Sequence, residues 1–344
     1  MPYSNIDKPS KYFNTLTWTG NGSSRNITGT GFDPNFVWIK NRSLGTRYHV
    51  LNDTIRGANK QLFSNVTNAE ENDTGQLTAF ITDGFSLSTN ANVNSNGDSF
   101  VGWNWLANSS SSSNTAGSIT ATVSANTTSG FSVGKTTGTL SSGTITVGHG
   151  LGVAPSMVIW KRTDGVSNWQ VYHKSTTTNL LQLNSTGAVN SGSFWGTPTS
   201  TTFSVSNSLY GSGETYAFYC FAEVKGFSKF GSYTGNGSAD GTFVYTGFKP
   251  AFLIVKRYND AGYDWLMYDN KRQVEFNVVD DFLKPNLSDA ETTGNANQSL
   301  DFLSNGVKFR GSGASSNGSG SSYIYMAFAE NPFVSSKGIP TTAR

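Results

Sequence analysis

The sequence predicts an all-β protein built as three tandem small β-sandwich repeats of jelly-roll or lectin-like kind. Three observations carry that expectation. First, one stretch occurs three times, as Gly31–Arg42 (GFDPNFVWIKNR), Gly152–Arg162 (GVAPSMVIWKR) and Gly247–Arg257 (GFKPAFLIVKR). In each copy a proline precedes five mostly apolar residues and then a lysine: Pro34/Lys40, Pro155/Lys161 and Pro250/Lys256. Proline lacks a donor N–H and suits the start of a strand, and the β-branched and aromatic run behind it suits a strand buried on both faces. Second, the 344 residues include 38 glycines, 13% aromatics and only 13% charged residues, a mixture of turn formers and strand formers. Third, short strand-like runs recur between turn signals within each repeat of about 100 residues, which fits a sandwich better than the ~40–50-residue period of propeller blades.

In chain order, residues 1–13 form a polar, proline-punctuated N-terminal docking arm carrying Ile6, Tyr12 and Phe13. Repeat 1 spans 14–107. It opens with Leu16–Gly22, a strand running into an Asn-Gly hairpin turn, and continues through the proline-led strand, the return run Tyr48–Leu51 and the alternating closing run Ser99–Trp105. Residues 108–117, with the run Asn108–Asn114 (NSSSSSN), read as a flexible Ser-rich linker. Repeat 2 (118–224) and repeat 3 (225–330) keep the same order, with return runs Trp169–Tyr172 and Trp265–Tyr268. No serine run separates these two, so their junction should be the stiffer one. Residues 331–344 form a C-terminal tail with Phe333 and Ile339. Apolar residues on segments outside any repeat predict assembly contacts with other chains.

The composition excludes several function classes. A formal net charge of +2 leaves no footprint for nucleic acid, and no apolar run is long enough for membrane insertion. The lone Cys220 excludes an intrachain disulfide and reads as a buried thiol. No phosphate-binding loop, nucleophile elbow or metal-ligand spacing occurs, so neither cofactor, metal site nor catalytic residue is expected. The histidines His49, His149 and His173 read as surface or turn residues. Asp53/Arg56 and Asp269/Arg272 share a spacing that lets carboxylate and guanidinium pair as a loop clamp, whereas repeat 2 has His173-Lys-Ser-Thr there. Trp38, Trp160, Trp169 and Trp265 fall in strand positions and read as core. Trp195, Tyr258 and Tyr263 flank turn residues and are the expected exposed aromatics, the candidate glycan contacts.

Long motifs also carry a resemblance. IDKPSKYFNT (6–15), YTGNGS (233–238), the GFKPAFLIVKR strand, KGFSKFGSY (225–233) and YIYMAFAENPF (323–333) resemble virion proteins of bacteriophages of cyanobacteria and other pelagic bacteria, tail-fibre-like or simply structural. The resemblance covers nearly the whole chain and brings no catalytic residues with it. It implies a virion protein made in the host cytoplasm, with other virion proteins, copies of itself and host surface glycans as partners. Three functions compete: a tail-fibre or receptor-binding protein, a capsid-decorating or head-fibre protein, and an extracellular polysaccharide hydrolase. The first is the leading expectation, and the third lacks a carboxylate pair.

Overall fold

The computed structural model describes residues 3–139, 143–273 and 277–341. Strand makes up 43% of the structure and helix 4%, so the all-β expectation holds. The described residues form several separate antiparallel sheets, three large and three small.

The three large sheets share one strand order. In each, an opening strand (Phe13–Thr19, Phe131–Thr137, Ser228–Thr234) lies beside a closing strand (Ser99–Trp105, Thr215–Phe221, Ser322–Pro332). The proline-led strand follows (Phe36–Asn41, Met157–Arg162, Phe248–Arg257), then a return strand (His49–Asp53, Gln170–His173, Trp265–Asp269). Pro34 and Pro155 stand just outside their strands. Pro250 lies inside the third, at a shift of register opposite the closing strand, where a missing N–H is tolerated. Each unit also has a three-stranded small sheet. Its edge strand is Arg25–Thr28, Thr144–Gly148 or Phe243–Tyr245.

Strand alternation explains how these sheets assemble. Successive side chains point to opposite faces. Phe36 and Trp38, Met157 and Ile159, and Phe252 and Ile254 all enter one shared core. Their neighbours Val37 and Ile39, Val158 and Trp160, and Leu253 and Val255 enter three separate cores, one per unit. The units are therefore not strung in a row. They close around a common centre.

That centre is a triangle of aromatic rings from the three closing strands. Trp105, Phe221 and Phe328 oppose Phe36, Met157 and Phe252 at the same register. Their centroids lie 6.1, 5.8 and 6.1 Å apart, with interplanar angles of 66°, 73° and 65°. Each ring presents its edge to the next, an arrangement favoured by the aromatic quadrupole and worth ~1 kcal/mol per pair beyond area burial.

Four expectations are corrected. Ser112–Asn114, inside the expected flexible linker, is a strand paired to Ala121–Val123, which extends the sheet of unit 2. The Asn21-Gly22 and Asn236-Gly237 turns do not close hairpins, because each joins the large sheet to the small one. Gly22 and Gly237 both adopt φ +66°, and Asn94 and Asn317 brace the two turns in the same way. All three histidines are fully buried. The arms also fold back on their own chain. Ile6 and Phe13 are buried in the shared core, and Tyr12 meets Phe227 edge-on at 6.0 Å. The Phe333 N–H donates to the Gly247 carbonyl, and Ser336 donates to the Asp7 carboxylate from N–H and hydroxyl at 2.7 and 2.6 Å. Of the residues expected to meet other chains, Ile339 is the one left well exposed, at 61%. Met1, Pro2 and residues 342–344 of those arms lie outside the described residues.

Candidate functional site

The chemistry-bearing side chains gather where one unit meets the next. Contacts run in one rotational sense: the loop after the return strand of unit 1 meets unit 2, that of unit 2 meets unit 3, and that of unit 3 meets unit 1. Three equivalent backbone bonds mark this ring. The Glu70 N–H donates to the Thr163 carbonyl (2.8 Å), Val189 to Tyr258 (2.8 Å) and Glu291 to Arg42 (2.9 Å).

The lysines that end the proline-led strands are buried at the same junctions. Lys40 Nζ donates to the carbonyls of Arg47 and Ser288, Lys161 to Arg162 and Thr67, and Lys256 to Tyr263 and Thr186. Each thus bonds its own hairpin and the preceding unit. None pairs with a carboxylate among the described residues, and burial pulls all three down to about 8. Opposite them, Trp169 donates Nε1–H to the Phe63 carbonyl at 2.8 Å and Trp265 to Gln182 at 3.0 Å. His49 holds the matching position in unit 1, facing Lys40 across the hairpin. Its Nδ1 accepts from Trp38 at 3.0 Å, and burial drives its pKa well below the ordinary value.

Asp53, His173 and Asp269 occupy one position in three return strands. Asp53 pairs with Arg56 at 2.5 Å and accepts the Tyr219 hydroxyl of unit 2 at 2.8 Å. Asp269 pairs with Arg272 at 2.6 Å and accepts the Trp103 indole N–H of unit 1 at 2.9 Å. Each arginine also binds a second carboxylate, Glu70 or Glu291, and a return-strand carbonyl, Leu51 or Met267. Burial works against the Arg56 charge, but Asp53, with Tyr219 and Glu70, more than offsets it and raises its pKa. In unit 2, Ser175 donates to His173 Nδ1, so Nε2 carries the proton and donates to the Tyr325 carbonyl of unit 3 at 3.1 Å. Burial pushes His173 down to about 4.

A cavity of about 640 Å³ opens between units 1 and 2. Lys60 and Glu70 line it from unit 1, and Thr122, Lys135, Thr137 and Thr163 from unit 2. A smaller cleft of about 260 Å³ lies where both arms cross unit 3, lined by Tyr3, Lys225, Tyr245 and Phe333. Sequence reasoning missed both. The 14 residues from Arg56 to Glu70 and the 19 from Arg272 to Glu291 share no common spacing to search for.

The aromatics expected at the surface are placed differently. Trp195 is only 3% exposed and sits in the core of unit 2. Tyr258 packs against the shared core, and the Arg257 guanidinium covers the Tyr263 ring at 3.9 Å. Besides Tyr3 and Tyr48, the exposed rings among the described residues include Phe243 and Tyr245, on the edge strand of the third small sheet. Register aligns them with Asn26 and Thr28 in unit 1 and with Thr146 and Gly148 in unit 2.

Residues 8–332 match the family model described as Domain of unknown function (DUF7483). The chain belongs to that family. The DUF7483 match spans all three units and the ring they close. No curated protein and no solved structure matches the chain. Among the described residues of this DUF7483 protein, no group of His, Cys, Asp and Glu is arranged to hold a metal ion, and no helix is long and apolar enough to cross a membrane. Cys220 is buried, and burial raises its thiol pKa, so it is not poised as a nucleophile.

Proposed function

We propose that the chain is three copies of one small β-sandwich closed into a ring, and that this ring is a non-enzymatic building block of a bacteriophage particle. Its role in that reading is attachment to host surface glycans as a tail-fibre or receptor-binding component. It would be made in the host cytoplasm and act in the virion beside other virion proteins and copies of itself. One observation carries the choice: the interior is built three times alike, while the outward faces differ. The Phe243/Tyr245 pair of unit 3 has Asn26/Thr28 and Thr146/Gly148 as its counterparts. A partner of threefold symmetry would read three equal faces, whereas a receptor reads one. The long motifs shared with phage virion proteins support the particle.

The ring itself favours a second reading, a capsid-decorating protein seated as a single chain on a local threefold. Immunogold labelling of intact particles with antibody raised against the whole chain separates the two. Gold at the tail is expected. Gold over the shell would transfer the proposal to decoration, and absence of the chain from purified particles would overturn both.

A further inference from the structure

We infer that the cavity between units 1 and 2 is a binding site for an acidic oligosaccharide. The inference rests on the attachment reading for its biological role, but not for its chemistry. The cavity exists because equivalent positions carry different side chains. Where unit 3 meets unit 1, Arg42 fills the junction. Its guanidinium pairs with Glu291 at 2.6 Å and donates to the Arg272 carbonyl at 3.1 Å. Where unit 1 meets unit 2 the backbone bond is the same, yet Thr163 stands in place of Arg42. The short Thr163 side chain turns to the Thr215 hydroxyl at 2.7 Å, and the space of a guanidinium is left open.

What surrounds that space selects the ligand. Lys60 approaches Glu70 at 3.5 Å with its side chain 41% exposed. Lys135 lines the opposite wall, exposed and without an ion pair among the described residues. The lining carries three cations (Arg56, Lys60, Lys135) and one carboxylate (Glu70), and with the buried Asp53 paired to Arg56 one positive charge is left over, so an anion is favoured. Much of the remaining wall is threonine, including Thr120, Thr122 and Thr137, whose hydroxyls supply polar groups beside apolar methyls. A volume of about 640 Å³ exceeds what a lone inorganic anion fills and falls in the range of sites for drug-sized molecules. A nucleotide base would need a free aromatic platform. The one ring in the lining, Tyr216, is already stacked on Trp160 at 4.4 Å. Hydroxyls with surplus positive charge and no free aromatic face match a sugar chain bearing carboxylate or sulfate groups.

Calorimetric titration of the full chain with short oligogalacturonate, with a sulfated dextran oligomer and with a neutral gluco-oligosaccharide tests this. Binding of an anionic probe that weakens with added salt is expected, with the neutral probe at least about tenfold weaker. Thr163→Arg restores the residue found at the equivalent junction. It should pair with Glu70, keep the melting temperature at or above that of the parent, and weaken binding about tenfold or more. Lys135→Glu, on an exposed side chain, should weaken it comparably without touching the fold. Equal binding of neutral and acidic probes, no binding of either anionic probe, or parental affinity in both variants would each overturn the site. Labelling away from the tail would defeat attachment while leaving this binding intact, so the two failures are distinguishable.

Discussion

Units 1 and 3 differ from unit 2 at one position of the junction. Units 1 and 3 bury a carboxylate and an arginine there and hand the carboxylate a donor from the next closing strand, Tyr219 or Trp103. Unit 2 buries a neutral imidazole. Register explains why: Met326 stands where Tyr219 and Trp103 stand, and a thioether donates no hydrogen bond. With no donor to receive, an acceptor-only aspartate would be stranded. His173 instead supplies the proton itself and uses a backbone carbonyl. Thr176 and Val189 replace the arginine and the second carboxylate, so the ion-pair network is gone as a whole and not piecemeal. Equivalent places in the three units can thus be satisfied by different chemistry, an ion pair with a donated proton in two of them and a neutral imidazole in the third.

The comparison can be broken hardest in unit 3. Arg272→Ala leaves Asp269 buried without its cation and Glu291 with Arg42 alone, and should cost about 3–5 kcal/mol in urea unfolding. Thr176→Ala, the matching change in unit 2, should cost about 1 kcal/mol, the worth of one hydroxyl bond to the His173 carbonyl. Equal losses would show that the clamp is not a network.

Acid should separate the units next. The His173 pKa is lowered when folded, so the unfolded chain binds its proton first as pH falls. Stability is therefore full above about pH 6.5 and declines towards pH 4, by roughly 3 kcal/mol for this one group. His49 and His149, also lowered by burial, add in the same sense. Unfolding free energies between pH 7 and 4 for the parent and for His173→Gln measure the share of this residue, and an unchanged slope in the variant would refute it.

A smaller effect is expected across the junction from unit 1. Tyr219→Phe removes the hydroxyl that Asp53 accepts and should cost about 1–3 kcal/mol, while Met326→Leu, at the same place beside His173, should cost less than about 1.5 kcal/mol. The smallest effect belongs to Trp105, one ring of the hub. Trp105 Nε1 is buried with no hydrogen-bond partner among the described residues, so Trp105→Phe removes an unsatisfied donor and leaves three phenyl rings. Its thermal midpoint should stay within a few degrees of the parent, whereas Phe328→Ala should lose about 3–5 kcal/mol.

Much of the fold was legible because buried strands carry their own pattern. The proline-led strands, the return strands and the four core tryptophans stand where their apolar runs and β-branched residues put them. The ring was not legible. Its junction bonds end on carbonyls such as Thr67, Thr186 and Ser288, and a carbonyl leaves no trace in side-chain identity. Histidine equivalence was hidden for a related reason: His173 matches an aspartate and His49 a tryptophan, so only strand register aligns them. Trp195 sits among turn formers yet is covered, because turn composition reports backbone shape and not what packs over the ring. Ser112–Asn114 fails in the reverse direction: a serine run supplies ladder hydrogen bonds as well as any other residue once a neighbouring strand such as Ala121–Asn126 offers its edge.

The aromatic triangle of Trp105, Phe221 and Phe328 has a bearing on dilution. Three separate chains meeting through such a centre would fall apart below some concentration, each exposing the inner face of its sheet. Here the second and third rings are tethered to the first, so their meeting is intramolecular and its equilibrium carries no concentration term. One molecule released alone is already a complete ring.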